Sequence, residues 1–337
     1  MRRIDGNAHY REVEALLTQG RHVCVTDTYG TALTLYTWLK RGVERRAPAV
    51  DYRTSRIQRE LLWRLTHPLV VPIVDGQVAL RGAPPIPFLQ RLYPGSGAFY
   101  LPLPDVLGLN GAWQWYERGV RYPVLAHPLH PFYGAHFSTR REHLELFDSY
   151  LASRPAAPDR AVDVGAGAGA LTFLLCKHGA QHVHAVDASP NAVLSLTEDV
   201  ARLDLGGRVT VEQADLFGSA APAELVVFNP PWVPGRQQSV VDASVYHDAA
   251  IFPRFFAAAR ERLQPGGRLV VLFSNFAEVA GLSQVSPVAA EVDGGGRFRL
   301  VERLERGVSA PAPRRGRDWL AQVRGRERVQ VWVLEST

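Results

Sequence analysis

The feature that most constrains this chain is the run Val162-Asp163-Val164-Gly165-Ala166-Gly167-Ala168-Gly169. It is a short apolar segment that ends in alternating glycines and leads into the apolar stretch Leu171-Thr172-Phe173-Leu174-Leu175-Cys176. Glycine lets the backbone turn sharply and approach a ligand closely. The start of a helix adds the positive end of its dipole. Strand, glycine turn and buried helix are therefore expected here, with a ligand held at the turn.

The residues that follow keep the same alternation. His182–Asp187 reads as a second strand and Asn191–Leu203 as a helix. Val209–Glu212 and Glu224–Phe228 read as the third and fourth strands. A helix from Pro253 to Leu263 stops at Gln-Pro-Gly-Gly, and Arg268–Phe273 is a fifth strand. Arg297–Leu304 and Val329–Leu334 alternate like a closing antiparallel pair. This succession predicts an α/β fold with a doubly wound sheet.

The N-terminal part reads as a smaller α+β domain over residues 1–110, a candidate for substrate recognition. Helices are expected over His9–Gln19, Ala32–Gly42 and Ser55–Leu65, with a strand over His22–Thr26. A proline-rich stretch runs from Pro72 to Pro104. Trp113–Glu117 and Val120–Leu125 around Arg118-Gly119 suggest a hairpin, so residues 111–145 are expected to be a hairpin and connector. Residues 146–337 then form the third segment.

At 337 residues and 46% hydrophobic content the chain can bury two cores. It has no apolar run of the ~20 residues that a membrane helix needs, and its start lacks a signal-peptide core. Two distant cysteines make no disulfide framework. A cytoplasmic protein with no membrane association is the expectation. The net charge of +5 comes almost wholly from arginine, since Lys40 and Lys177 are the only lysines. Such a balance points either to a polyanionic partner or to a compositional bias of the genome.

The glycine spacing narrows the ligand. Dinucleotide-binding loops read G-x-G-x-x-G, whereas this one reads G-x-G-x-G and is preceded by Asp163. Asp187 ends the next strand, where a carboxylate can accept from both ribose hydroxyls. Asp215 ends the third strand in Ala-Asp-Leu-Phe. These residues resemble the class I S-adenosylmethionine-dependent methyltransferases over about residues 130–337. The resemblance implies a Rossmann-like methyltransferase sheet with S-adenosyl-L-methionine as cofactor. Gly165, Ala166, Gly167 and Gly169 would then shape the cofactor loop, with Asp163 near the methionine end. Asp187 and Ala188 would hold the ribose, and Asp215 with Leu216 would edge the adenine. The bland alternative is a nucleotide-free domain of the same fold.

After the fourth strand comes Asn229-Pro230-Pro231-Trp232. Two prolines fix an extended turn. An amide or exocyclic amine is hard to methylate because its lone pair is delocalised. The Asn229 oxygen and the Pro230 carbonyl can accept hydrogen bonds from such an NH2 group and aim the nitrogen at the methyl. The Trp232 face suits a planar group. The motif resembles the (Asn/Asp)-Pro-Pro-aromatic amino-methyltransferases, within the methyltransferase small domain group, with Trp where Tyr or Phe is commoner. That group includes enzymes acting on adenine or guanine amines of RNA and on glutamine amides. The segment Phe132-Tyr133-Gly134-Ala135-His136-Phe137-Ser138-Thr139-Arg140 resembles the group's lead-in to the cofactor domain. Asn229, Pro230, Pro231 and Trp232 are thus the candidate catalytic residues, with Asn229 also beside the cofactor. Trp232, His247, Tyr133 and Arg140 are candidates for substrate contact.

Other groupings are less specific. His127, His130, His136 and His143 fit no zinc spacing, and no metal is expected. His247, in Tyr246-His247-Asp248, can take a product proton through water or serve as a helix cap. Arg306, Arg314, Arg315, Arg317, Arg324, Arg326 and Arg328 surround Trp319, a pattern that suits RNA phosphates with a stacked base and equally suits a solvated loop. An N-methyltransferase acting on RNA is the leading expectation, with RNA or the ribosome as partner. The alternatives are a protein glutamine methyltransferase, a small-molecule enzyme of specialised metabolism and a non-catalytic cofactor-binding protein.

Overall fold

The computed structural model describes residues 1–235, 245–309 and 318–337. The chain divides into two compact units, one comprising Met1–Gln114 and a short later segment, the other most of the chain from Trp115 onward.

The first unit contains β1 (Arg2–Ile4), α1 (Tyr10–Thr18), β2 (Val23–Val25), α2 (Tyr29–Arg46), α3 (Tyr52–Thr66), β3 (Leu69–Val74), β4 (Gln77–Val78), α4 (Phe88–Leu92) and β5 (Phe99–Pro102). Strands β1, β2 and β3 pair in parallel, while β4 and β5 run antiparallel to β3. Leu17, Val23, Leu35, Leu39, Leu69 and Ile73 fill its core. The proline-rich stretch thus holds real strands, with Pro72 inside β3 and Pro102 closing β5.

The expected hairpin at 113–125 does not form. Residues Leu103–Arg118 are instead one helix, α5. Its buried face is Leu103, Val106 and Leu109, a helical period that begins upstream of the alternating tryptophans. Pro104 lies in the first turn, where its missing N–H costs little. Residues 120–135 are not a free connector either, because Val120, Tyr122, Leu129, Phe132 and Ala135 are buried, the first three in the core of the second unit.

The second unit contains α6 (Glu142–Ser153), β6 (Arg160–Val164), α7 (Ala170–Lys177), β7 (His182–Asp187), α8 (Pro190–Arg202), β8 (Val209–Gln213), β9 (Ala223–Phe228), β10 (Val233–Pro234) and β11 (Tyr246–His247). It continues with α9 (Ile251–Arg262), β12 (Leu263–Ser274), α10 (Phe276–Val279), α11 (Pro287–Ala290), β13 (Phe298–Gly307), α12 (Trp319–Arg326, whose first two residues belong to the first unit) and β14 (Arg328–Ser336). The main sheet has the order β13-β14-β12-β9-β6-β7-β8. Strands β12, β9, β6, β7 and β8 are mutually parallel, and β14 is antiparallel to both β12 and β13. This is the expected doubly wound sheet with its closing antiparallel pair.

The central strands are buried on both faces, which is why they read as continuous apolar runs. On one face Ala161, Leu225 and Val227 pack with Leu171, Leu174 and Leu175 of α7 and Phe147 of α6. On the other, Val162, Val226 and Phe228 pack with Phe252, Phe255 and Phe256 of α9. Among the described residues no helix is long and apolar enough to cross a membrane.

Candidate active site

Strands β6 and β9 are neighbours, yet β7 and β8 lie to one side of them and β12 to the other. A crevice opens at the carboxyl ends of strands at such a switch point. Both motifs singled out in the sequence leave the sheet there, the glycine loop from β6 and Asn229-Pro230-Pro231-Trp232 from β9.

The loop needs its glycines. Gly165, Gly167 and Gly169 have φ of +64°, +55° and +86°. A Cβ on Gly167 would stand 2.7 Å from the His136 carbonyl, and one on Gly169 2.4 Å from Leu196 Cδ1. The lead-in segment closes the loop from above, since the Ala168 N–H donates to that same His136 carbonyl at 2.8 Å. Tyr133 is placed by its backbone, whose carbonyl accepts from Asn191 Nδ2 at 2.8 Å.

Asp187 ties the loop to the next strand. Its Oδ2 accepts from the Gly167 N–H and its Oδ1 from the Ser189 N–H, both at 2.8 Å. Burial raises its carboxyl above the ordinary value, against the lowering effect of these two N–H groups. A carboxylate offers about four lone-pair positions, so two remain for hydroxyl donors. A cavity of about 290 Å³ begins here, lined by Gly165, Asp187, Ala188, Asp215, Leu216, Phe228, Asn229 and Pro231 among others. Leu216 holds a left-handed backbone, φ +53°, at its edge. Strain of this kind in a non-glycine residue persists where the surroundings enforce it. Asp215 is exposed and its carboxylate is paired with Arg254.

Asp163 is wholly buried. Its Oδ2 accepts from Thr172 Oγ1 at 2.6 Å, while Oδ1 has no partner. Burial pushes its carboxyl up to about 7. The residue borders a small recess shared with Gly165, Ala166 and Asn229. An orphaned buried carboxylate oxygen beside a glycine cradle fits a cofactor that brings positive charge and N–H donors.

The Asn-Pro-Pro-Trp turn stands between two cavities. Asn229 and Pro231 line the first. Trp232 lines the second, of about 460 Å³, with Pro234, His247, Phe252, Phe256, Phe273, Glu278 and Arg297 among its walls. Much of that wall comes from residues 277–297, between β12 and β13. His247 is set there by the parallel pairing of β10 with β11. Its Nδ1 donates to the Asp248 carbonyl at 3.0 Å.

Trp232 is not a free platform. Its indole N–H donates to Asn229 Oδ1 at 3.2 Å and to the Leu272 carbonyl at 3.3 Å. Arg140 turns inward, 3.0 Å from Glu327 and with its guanidinium 5.3 Å from the Trp232 ring centre. Glu327, Thr172 and Ser274 were not foreseen as participants, because no local pattern marks a partner brought in by another element.

The arginine group near the C-terminus is largely engaged. Arg306 pairs with Glu145, Arg328 with Glu305, and Arg326 donates to the Val279 carbonyl. Trp319 meets Tyr52 edge to face, ring centres 6.2 Å apart. Arg314, Arg315 and Arg317 lie outside the described residues.

Fold and cavity together define a Rossmann-like domain built to hold a nucleoside-bearing cofactor at its switch point. Residues 145–301 match the family model of the methyltransferase small domain. Over this segment the chain is similar to the class I S-adenosylmethionine-dependent methyltransferases, and the match supports S-adenosyl-L-methionine as cofactor. The ribosomal RNA small subunit methyltransferase C of Alcanivorax borkumensis is 37% identical over 113 residues, 33% of this chain and 31% of the relative. The release factor glutamine methyltransferase of Deinococcus radiodurans is 34% identical over 141 residues, 38% of this chain and 49% of the relative. The chain thus spans less than half the length of these curated relatives. A solved structure, the ribosomal protein L11 methylase of Lactobacillus delbrueckii subsp. bulgaricus, is 17% identical with a TM-score of 0.39, covering 62% of this chain and 84% of that one.

Proposed function

We propose that the chain is an N-methyltransferase acting on a planar NH2 group. The observation that carries this reading is the position of the Asn-Pro-Pro-Trp turn, with Asn229 on the cofactor cavity and Trp232 on the neighbouring one. When bound, S-adenosyl-L-methionine supplies an electrophilic methyl on a good leaving group. Asp187 and the glycine loop orient it, and Asp163 offers its unpartnered oxygen. Asn229 Oδ1 and the Pro230 carbonyl accept from the acceptor NH2, drawing the nitrogen toward tetrahedral geometry. Alignment of this kind supplies most of the rate, and no strong base is required. In this reading His247 passes the product proton to solvent.

The first carrier of the NH2 group in this reading is an adenine or guanine in RNA, in keeping with the net charge of +5 and one relative's name. A glutamine amide of a protein is the second reading. It is favoured by the internal pairing of Arg306, Arg326 and Arg328 and of the cavity's arginine, Arg297, with Glu291. The test is incubation with labelled cofactor and separated RNA, protein and small-molecule fractions of a cell. Label should enter RNA or protein at nitrogen. Asn229→Ala should remove most turnover, by about 100-fold or more, while cofactor affinity stays near wild type, because its interaction with the acceptor tightens mainly in the transition state. Normal turnover by Asn229→Ala would refute the amino-group mechanism.

A further inference from the structure

We infer that Trp232 is a positioning residue: its indole N–H, clamped in place by the half-buried Arg140 and its buried partner Glu327, sets the Asn229 amide so that one Oδ1 lone pair faces the acceptor. The inference rests on the reading of Asn229 as the group that receives the acceptor NH2.

An amide oxygen has two lone pairs and an amide nitrogen has none to offer. A donor fixed beside Asn229 therefore decides which end of the amide faces it. Trp232 Nε1 is that donor, 3.2 Å from Oδ1. Its second hydrogen bond, 3.3 Å to the Leu272 carbonyl, ties the indole to β12 in the middle of the sheet. The two prolines hold the backbone of the turn but leave the Asn229 side chain free to rotate about its own bonds. The indole removes that freedom.

The ring itself is held from more than one direction. The Arg140 guanidinium lies 5.3 Å from its centre and 5.7 Å from that of Phe276. Arg140 is fixed by Glu327, whose side chain is fully buried and 3.0 Å away. Glu327 Oε1 accepts in turn from Ser274 Oγ at 2.6 Å, at the end of β12. His143 meets the indole edge to face, with ring centres 5.3 Å apart at 86°, and its Nε2 lies 3.0 Å from Ser138 Oγ. An ion pair taken out of water costs stability unless it is well bonded. Here it stands behind the side chain that donates to Asn229 Oδ1.

This role differs from that of a stacking platform in one testable respect. Phenylalanine keeps an aromatic face at position 232 but has no N–H. If Trp232 acts through Asn229, Trp232→Phe should lower the saturated rate about tenfold. The half-saturating amount of acceptor and the cofactor Kd should stay within about twofold. The acceptor probe is the RNA or protein fraction that takes up label in the fractionation above, titrated by mass. A second readout needs no turnover. In 15N-labelled protein the Trp232 indole resonance, assigned by its loss in Trp232→Phe, should move in Asn229→Ala. A wild-type rate for Trp232→Phe overturns the positioning role, as does an indole resonance unmoved in Asn229→Ala. Failure of the wild type to methylate any fraction would instead overturn the amino-group reading, and the indole resonance would then decide the Asn229 hydrogen bond by itself.

Discussion

The buried carboxyl of Asp163 makes stability depend on pH in a direction opposite to that of most carboxylates. Its ordinary value of 3.8 rises to about 7 in the folded chain, chiefly through burial and against the Thr172 hydrogen bond. Below the lower value the group is neutral whether the chain is folded or not. As pH rises toward 7, the unfolded chain loses this proton while the folded chain keeps it. The unfolded state is therefore favoured by up to ~1.4 kcal/mol per unit, about 4 kcal/mol in all. Between about pH 4.5 and pH 8 the loss should be about 3 kcal/mol. Asp148, Glu142 and Glu212 are shifted downward and act in the opposite sense, losing their stabilising effect in acid. They are common to wild type and Asp163→Asn, so the difference between the two proteins isolates Asp163. Asparagine keeps the acceptor for Thr172 and cannot ionise. Urea unfolding of both proteins, without cofactor, should show that Asp163→Asn gains stability relative to wild type as pH rises from about 4 to about 7, with the gain levelling off above that. Parallel pH profiles, or an advantage of the variant that shrinks as pH rises from about 4 to about 7, would refute the reasoning.

Asp187→Ala should weaken S-adenosyl-L-methionine binding in calorimetry by about 1.5–3 kcal/mol, because charged hydrogen bonds to the ribose disappear. It should also lower the melting temperature without cofactor, since the Gly167 and Ser189 N–H groups lose their acceptor; unchanged affinity would remove Asp187 from the cofactor site. Neutralising Arg314, Arg315 and Arg317 together tests RNA as the carrier. For every phosphate that an arginine no longer neutralises, the slope of log K against log salt should flatten by roughly 0.7–0.9, and identical slopes for wild type and variant would move the preference to a glutamine amide.

The methyltransferase sheet was legible because its strands are covered on both faces. His182–Asp187 was expected and observed with the same bounds, and β8 and β9 differ from expectation by a residue at one end. Apolar runs between glycine turns leave little choice of period. The stretch around Trp113 and Trp115 misled for the converse reason. Two tryptophans spaced like a strand outweighed Leu103, Val106 and Leu109, whose helical spacing starts inside the proline-rich stretch. Local alternation over a few residues is weak where the buried face lies upstream.

The site divides along a similar line. Glycines and prolines act through the backbone of their own segment, so the glycine loop and the Asn-Pro-Pro turn could be read directly. The aim of the Asn229 side chain is set by Trp232, and Trp232 is held by groups from the lead-in segment, from β12 and from the residue before β14. No spacing in one segment encodes that convergence. The same holds for the acceptor. In the proposed reading the turn specifies the chemistry that can be done on a nitrogen, whereas much of the wall of the neighbouring cavity comes from residues 277–297, far along the chain. Two chains can therefore share the turn and the loop and still methylate different molecules. The carrier must be sought in the cavity wall, where Glu278 and the Glu291–Arg297 pair stand among Phe252, Phe256 and Phe273.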